Sequence, residues 1–452
     1  MNVLFVVAEF APLATSGGLG DATAGIARAL TRLELDVTIV MPRYQFLRDL
    51  GEARPGVEPA QALYEHEVHG LRVWLVDDPE SFDRPGIYGP EPGTAYEDEW
   101  RRWGRFCQVA AALAEDFDVV HLHDAQAAST ALMTSTPSIL TLHNAAYPVM
   151  GPIEEAVEMF GEESRDLLEW YGQANFLKAG ILAASQVTTV SLGYARQIAE
   201  DPEVSSGLNE QLANLMYPVI GIMNGIDIRR FNPETDEDIP ERYGPDDLAP
   251  RQAARQALAA LTGLDETGVI FGMVGRMTGQ KGLALLDPII EGLVENGFRL
   301  VAVGNGDDDD RVDGWVARYP QAVWHEPYTV ELARLVWAGG DSFLMPSKFE
   351  PGGLGNLYAM RYGAPPVVRF TGGLADTVID AEASAESANG FGFDEYTSEA
   401  LAGAVHRAMA VYRNNPERWA ELQRVGMTTD WGWDPAAARY QWVYNRVLER
   451  NK

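Results

Sequence analysis

The chain has few basic residues and very little lysine. It carries 66 acidic residues against 35 basic ones, which gives a formal net charge of -31. Repulsion on this scale disfavours nucleic acid and anionic membranes as partners. Binding of an anionic ligand would therefore need a local group of cations. This makes the position of each of the four lysines informative: Lys178, Lys281, Lys348 and Lys452.

Cysteine and long apolar runs are also scarce. The single Cys107 excludes an internal disulfide and a cysteine-based zinc site, and it is typical of a reducing compartment. No stretch of about 18 apolar residues occurs, and no basic segment precedes the first apolar run. These features predict neither a transmembrane helix nor a signal peptide. We expect a cytoplasmic protein without a membrane partner.

Short β-branched apolar segments alternate with amphipathic segments in both halves of the chain. In the first half they include NVLFVV, DVTIVMP and SILTLHN, and in the second half GVIFGMVGRM, RLVAVGNG and DSFLMPS. This alternation predicts parallel sheets with helices on both faces, an α/β fold.

The length of 452 residues exceeds what one hydrophobic core usually supports. Residues 232–252 are rich in proline and aspartate and are typical of a linker or surface loop. We predict two doubly wound, Rossmann-like domains, at 1–240 and 241–430, that face a cleft. The apolar spacing at 431–452 suits a helix that packs back on the first domain better than a partner-binding helix.

Polar residues cluster where the predicted strands end. In open α/β sheets, ligands bind outside the carboxyl ends of the strands. A metal site is disfavoured because the His/Asp set lacks an obvious third ligand, so hydrogen bonding to a polyhydroxylated ligand is favoured. No hydrolase, metalloprotease or P-loop motif occurs. The strand-end residues are Glu9 with its apolar neighbour Phe10, His123 and Asp124, His143 and Asn144, and Ser191.

The segment VGRMTGQKGL at 274–283 follows a predicted strand and places Arg276 and Lys281 on one loop. Two cations so close in an acidic chain suggest a diphosphate site, with a guanidinium fork and a mobile ammonium. The alternative is a pair of solvated surface cations.

Two Gly-rich turns precede predicted helices. In PSKFEPGGLGNLYAMRYG, at 346–363, the N–H groups of Gly353 and Leu354 would begin a helix, where an anion is favoured. Glu350 could accept hydrogen bonds from sugar hydroxyls, or it could merely complement the helix dipole. In ATSGGLGD, at 14–21, Gly17 and Gly18 permit a ligand to approach the backbone closely, although this turn contains no cation.

Taken in their order along the chain, these and several further segments resemble those of the bacterial glycogen synthases and plant starch synthases. These are retaining glucosyltransferases of the GT-B fold. The resemblance extends over most of the chain and is highly specific because all of the motifs occur in order. They are FAPLATSGGLGD, DRPGIYG, HDAQ with TLHNAAY, FLKAGILAASQVTTVSLGYARQI, NGIDIRRFNPETD, GRMTGQKGL, PSKFEPGGLGNLYAMRYG and RFTGGLADTV.

The resemblance implies transfer of glucose from a nucleotide sugar, usually ADP-glucose, to the non-reducing end of an α-1,4-glucan. It implies retention of the α configuration and no metal or other cofactor. It assigns catalytic roles to His143, Arg276, Lys281 and Glu350, and places Asp124 near a sugar. The positions it assigns to donor binding are Thr15, Gly17, Gly18, Asp21, Asn144, Gly353 and Leu354.

The chain departs from the family pattern in two places. Thr15 stands where the family has lysine, and Ala125 and Gln126 stand where it commonly has tryptophan and histidine. The first change bears on the nucleotide of the donor and the second on the acceptor. Two alternatives therefore stay open: a related GT-B enzyme with another donor or a small acceptor, and a non-catalytic glucan or nucleotide-sugar binding homologue. No feature of the sequence indicates an oligomeric state.

Overall fold

The computed structural model describes residues 1–91, 94–383 and 386–451. They form two compact units, the first made of Met1–Gly225 with Trp433–Lys452 and the second of Ile226–Gly432. Residues 226–240, which the predicted boundary assigns to the first domain, contribute Ile226, Phe231 and Ile239 to the core of the second unit. Within the described residues, no helix is long and apolar enough to cross a membrane.

The first unit is built on a mainly parallel sheet. Its strands and those of a small accompanying sheet are β1 (Asn2–Val6), β2 (Asp36–Pro42), β3 (Glu52–Pro55), β4 (Ala62–Val68), β5 (Leu71–Asp77), β6 (Val119–His123), β7 (Ser138–Leu142), β8 (Met150–Pro152), β9 (Glu169–Trp170), β10 (Gln173–Asn175), β11 (Gln186–Thr189) and β12 (Ile220–Gly221).

The order in the main sheet is β12-β11-β7-β6-β1-β2-β5-β4-β3, and β8, β10 and β9 form the small antiparallel sheet. β3, β4 and β5 pair antiparallel at one edge, whereas β1 pairs parallel with both β2 and β6. The central strands are buried almost throughout. Burial on both faces explains why these strands have nearly continuous apolar sequences.

The helices of the first unit follow the strands, and two of them have a side-chain cap. Asn175 accepts the N–H of Lys178, and Ser191 accepts the N–H of Tyr194. The helices are α1 (Gly18–Arg32), α2 (Pro79–Phe82), α3 (Glu99–Ala114), α4 (Ala125–Ala128), α5 (Ile153–Phe160), α6 (Arg165–Leu168), α7 (Phe176–Ala183), α8 (Leu192–Glu200) and α9 (Asn209–Ala213), with 3-10 turns at Gln45–Leu47, Ser129–Leu132 and Glu162–Ser164.

The second unit has a parallel sheet in the order β15-β14-β13-β16-β17-β18. Val269 and Phe271 lie in one core and Ile270 in the other, as the alternation of a strand buried on both faces requires. The strands are β13 (Val269–Val274), β14 (Phe298–Val303), β15 (Val323–Glu326), β16 (Ser342–Met345), β17 (Pro366–Arg369) and β18 (Phe391–Phe393).

Helices cover both faces of this second sheet. They are α10 (Arg251–Thr262), α11 (Ile290–Glu295), α12 (Asp309–Arg318), α13 (Val330–Gly339), α14 (Leu354–Arg361), α15 (Gly372–Thr377), α16 (Ser398–Asn414) and α17 (Pro416–Thr428), with 3-10 turns at Gly279–Lys281 and Leu283–Leu286.

The last helix, α18 (Asp434–Arg450), belongs to the first unit and packs against α1. The indole of Trp433, at the start of α18, lies directly over Gly25 of α1. A Cβ added at Gly25 would be 2.2 Å from the Trp433 Nε1. Glycine is therefore required at this crossing for the two helices to pack this closely.

Replacing Gly25 by alanine tests this packing. We expect Gly25→Ala to destabilise the first unit by about 1–3 kcal/mol, since the added methyl group displaces the indole. Gly403→Ala is the matched control, because Gly403 lies within α16 and has open space around it. That substitution should stabilise by about 0.5–1 kcal/mol. Calorimetric unfolding of both variants measures the difference, and equal effects would contradict the packing argument.

Candidate active site

The Gly-rich turn at 14–21 joins β1 to α1. Gly17 is the N-cap of α1, which begins at Gly18. By helix geometry, the first N–H groups from Gly18 onward have no partner within the helix. The four predicted donor-binding residues of this turn are exposed: Thr15, Gly17, Gly18 and Asp21.

A buried glutamate that the sequence marked only as a strand-end residue holds this turn in place. Glu9 Oε2 accepts the N–H groups of Ser16 at 2.6 Å and Gly17 at 3.2 Å. Glu9 Oε1 accepts the hydroxyl of Tyr88 at 2.5 Å. Two of the N–H groups in this Gly-rich turn therefore bind Glu9. Both of these N–H groups precede the first residue of α1, Gly18.

Three predicted site residues meet at the carboxyl ends of β6 and β7. Asp124 follows β6 with a φ of 59°. Its Oδ1 accepts the N–H of His143 at 2.6 Å and the N–H of Asn144 at 3.1 Å. The Asn144 side chain in turn accepts the N–H of Ala146. Because β6 and β7 are parallel neighbours, one carboxylate can hold the backbone of the next strand end.

The histidines of these two strands are packed and neutral. His143 Nε2 lies 3.0 Å from His123 Nδ1, and the ring of His123 packs against that of His121 with centroids 4.1 Å apart. Loss of hydration lowers the pKa of His143 to about 3 and lowers the pKa values of His121 and His123 well below their usual range. All three rings are therefore uncharged near pH 7.

Burial has the opposite effect on Asp124. Loss of hydration raises the pKa of Asp124 to about 7, although its hydrogen bonds from Asn144 and His143 favour the ionised form. The ionisation of this carboxyl therefore changes near neutral pH, within the range of an ordinary assay.

The raised pKa of Asp124 predicts an acid limb in the activity. Below pH 7 the folded protein protonates Asp124, and a neutral carboxyl accepts the two N–H groups less strongly than a carboxylate does. We expect kcat/KM to fall as the pH decreases through about 7. Asp124→Asn should remove this limb and leave a lower, flatter profile. An unchanged limb in the variant would assign it to another group.

The predicted residues of the second unit meet beside the end of β13. Lys281 Nζ donates to Glu350 Oε2 at 2.7 Å, and Ser347 Oγ donates to the same oxygen at 2.9 Å. Arg276 is exposed and lines a pocket together with Lys281 and Ser347. The sequence assigned Lys281 to a phosphate and Glu350 to a sugar or ribose, but here they form an ion pair. An anion that binds Lys281 must share the ammonium with Glu350.

Hydrogen bonds to backbone carbonyls hold together the two loops that carry Lys281 and Glu350. Gln280 Nε2 donates to the carbonyl of Phe349, and Lys348 N–H donates to the carbonyl of Gln280. Gly373 N–H donates to the carbonyl of Glu350 at 2.9 Å. The loop after β13 is therefore fixed to the segment that leads into α14.

Gly353 and Leu354 form the start of α14, as the sequence predicted for this turn. Gly353 is the N-cap with a φ of 65°, and a Cβ there would lie 2.8 Å from both Asn356 Oδ1 and Leu374 Cδ2. Only glycine suits this left-handed and crowded position. The N–H groups from Leu354 onward are thus placed as an anion site would need them.

The two residues that replace a family aromatic and histidine are inside the first unit. Ala125 and Gln126 begin α4 and are 1% and 7% exposed. The Gln126 carbonyl lies 3.4 Å from Cys107 Sγ. The small side chain at 125 is thus enclosed by the first unit.

Sequence reasoning missed several residues of these clusters. Glu9 and His123 carried a strand-end signal but were not among the residues assigned to catalysis or donor binding. Tyr88 and Ser347 lie within the motifs DRPGIYG and PSKFEPGGLGNLYAMRYG, but neither was assigned a role, because only the fold brings them to their partners. In the part of the chain that is described, no group of three or more His, Cys, Asp or Glu side chains is placed to hold a metal ion.

Two family models match the chain. Residues 2–214 match the starch synthase catalytic domain, and residues 255–424 match the glycosyl transferases group 1. The glycogen synthase of Geotalea daltonii is 35% identical over 100% of this chain and 99% of its own length. Glycogen synthase 2 of Agrobacterium fabrum is 38% identical over 99% of this chain and 93% of its own length.

Solved structures agree with these sequence matches. The catalytic domain of starch synthase IV from Arabidopsis thaliana, bound to ADP and acarbose, has a TM-score of 0.87 and 27% identity, with 99% of each chain covered. A sucrose-phosphate synthase from Thermosynechococcus elongatus shares the fold, with a TM-score of 0.64, 17% identity and 99% of each chain covered. The predicted GT-B fold and the predicted enzyme class are confirmed. The chain belongs to the glycogen synthase and starch synthase family of glycosyltransferases.

Proposed function

We propose that this enzyme transfers glucose from ADP-glucose to the non-reducing end of an α-1,4-glucan with retention of configuration. Two things support the proposal: full-length similarity to glycogen synthases, and the cluster of Arg276, Lys281 and Glu350 in an otherwise acidic chain. The similar starch synthase IV domain binds ADP and acarbose. ADP and an oligosaccharide correspond to a nucleotide leaving group and a glucan.

The leaving diphosphate sets the main chemical requirement. As the bond from the glucosyl C1 to the phosphate oxygen breaks, negative charge develops on the diphosphate. Arg276 can bind its oxygens with two N–H groups and Lys281 with one, and the N–H groups at the start of α14 add to this field. Preorganised donors of this kind stabilise a transition state more than the ground state.

The neutral rings of the first unit suit a hydroxylated sugar. A histidine with a pKa of about 3 is a poor general base, because it accepts a proton only weakly near pH 7. It can still donate or accept a hydrogen bond. We assign His143 to a glucosyl hydroxyl and Asn144 to the donor, with Asp124 holding both backbones in place.

Removing the ammonium of Lys281 tests the role of the cation cluster. We expect Lys281→Ala to lower kcat by about 100-fold to 1000-fold, the effect of losing one donor to a developing anion. Glucan binding, measured by affinity electrophoresis, should stay unchanged. Arg318→Ala, which removes an exposed cation from the end of α12, should leave both properties intact. Equal loss of turnover and glucan binding would remove Lys281 from this role.

A second candidate keeps the fold but changes the nucleotide of the donor, and exposed Thr15 favours it. In place of the family lysine, Thr15 offers no charge to a phosphate. Thr15→Lys should lower the KM for ADP-glucose about tenfold, as one charge-assisted hydrogen bond does. The gain should shrink at high salt. Thr15→Met is the uncharged control, and an equal response from both variants would exclude an electrostatic effect.

The proposed function is tested directly with radiolabelled donors. Incorporation of glucose into glycogen from labelled ADP-glucose is the expected result, and labelled UDP-glucose in the same assay reads the nucleotide preference. Label in polymer only from another donor, or only in a small product, would support the second candidate. Donor binding without any turnover would support a non-catalytic homologue.

A further inference from the structure

His123 is the one histidine of the first-unit cluster with a ring nitrogen that is both buried and unmatched. The His123 side chain has no exposed surface. Its Nδ1 lies 3.0 Å from His143 Nε2. Its Nε2 has no hydrogen-bond partner among the described residues. This asymmetry determines which nitrogen carries the proton.

A neutral imidazole has one N–H donor and one acceptor nitrogen. If His123 carries its proton on Nε2, an N–H group is buried without a partner, which is costly. If it carries the proton on Nδ1, the N–H donates to His143 and only a lone pair is left unmatched. Buried N–H groups without partners are rare. The second arrangement is therefore favoured.

The tautomer of His123 determines that of His143. When His143 Nε2 accepts this hydrogen bond, the single proton of the neutral His143 ring must lie on Nδ1. Since His143 is partly exposed, Nδ1 is the nitrogen left to meet a ligand. We propose that His123 is a positioning residue that fixes His143 as the Nδ1–H tautomer, so that His143 donates a hydrogen bond to a ligand oxygen.

The surroundings hold the ring of His123 in the required orientation. His121 packs on His123 and is itself fixed, with Nδ1 2.7 Å from the Tyr444 hydroxyl and Nε2 2.6 Å from Thr141 Oγ1. Phe5 packs against the rings of His121 and His123, with centroids 4.7 Å and 4.9 Å away. His123 therefore cannot rotate away from His143 without disturbing this stack.

Only the identity of the ligand oxygen, a glucosyl hydroxyl, rests on the proposed function. The tautomer can be read without any ligand, by nitrogen NMR of the full chain labelled at its histidines. Seven histidines make the spectrum tractable, and the His143→Gln variant identifies the signals of His143. We expect a protonated Nδ1 and an unprotonated Nε2. A proton on Nε2 of His143 would overturn the proposal, whatever donor the enzyme uses.

Two substitutions of similar size separate positioning from structure. His123→Asn places an amide N–H near the position of Nδ1 and should keep the His143 tautomer. It should keep kcat within about threefold of the parent enzyme, because one donor replaces another. His123→Leu removes the donor, so the His143 proton should move toward Nε2 and kcat should fall about tenfold or more.

The value of kcat and the His143 tautomer are compared only in variants that fold. Unchanged His121 signals show that the ring stack is intact in such a variant. If His123→Leu lowers kcat and leaves the His143 tautomer unchanged, the role of His123 is structural and the proposal fails. If His123→Leu does not fold, His123→Asn and the parent enzyme still decide, because loss of the Nδ1 proton in either contradicts the proposal. Absence of turnover with ADP-glucose, together with an Nδ1–H tautomer, would instead refute the proposed donor.

Discussion

The geometry of the first-unit site depends on one carboxylate that accepts two backbone N–H groups. Asp124 follows β6 with a positive φ of 59° and binds the chain just after β7, at the N–H groups of His143 and Asn144. These two hydrogen bonds fix the backbone from which the His143 side chain extends, and Nε2 of that ring lies 3.0 Å from His123 Nδ1. The parallel pairing of β6 and β7 makes the arrangement possible, since it places both strand ends at the same edge of the sheet.

Charge is distributed unevenly between the two clusters. The first-unit cluster has neutral rings and a carboxyl that titrates near pH 7. The second-unit cluster has a lysine and an arginine, with the lysine already paired to Glu350. Lysine is scarce in this chain, and Lys178 has a structural role in the first unit. Its ammonium donates to the carbonyls of Asp166, Leu167 and Glu169 and anchors the segment before β10.

Much of the fold and part of the site could be predicted from local sequence. Alternating apolar and amphipathic segments predicted the fold class, which is confirmed. The polar residues at the strand ends marked Asp124, His143 and Asn144 as candidate site residues, and the structure brings these three together. The contacts between distant residues could not be predicted. Lys281 and Glu350 are 69 positions apart, Glu9 and Tyr88 are 79 apart, and His121 and Tyr444 are 323 apart. No periodicity or spacing encodes such pairs, because only the packed sheet brings them together.

The return of the chain to the first unit through α18 affects when that unit can be completed during synthesis. The second unit lies within the sequence of the first, and all of its residues have been synthesised by Gly432. The first unit lacks the Tyr444 hydroxyl beside His121 until the last helix is translated. The host unit therefore completes the centre of its sheet only after the whole of the inserted unit has been synthesised. Until then, the buried imidazole of His121 at the centre of the first sheet lacks the Tyr444 partner of its Nδ1.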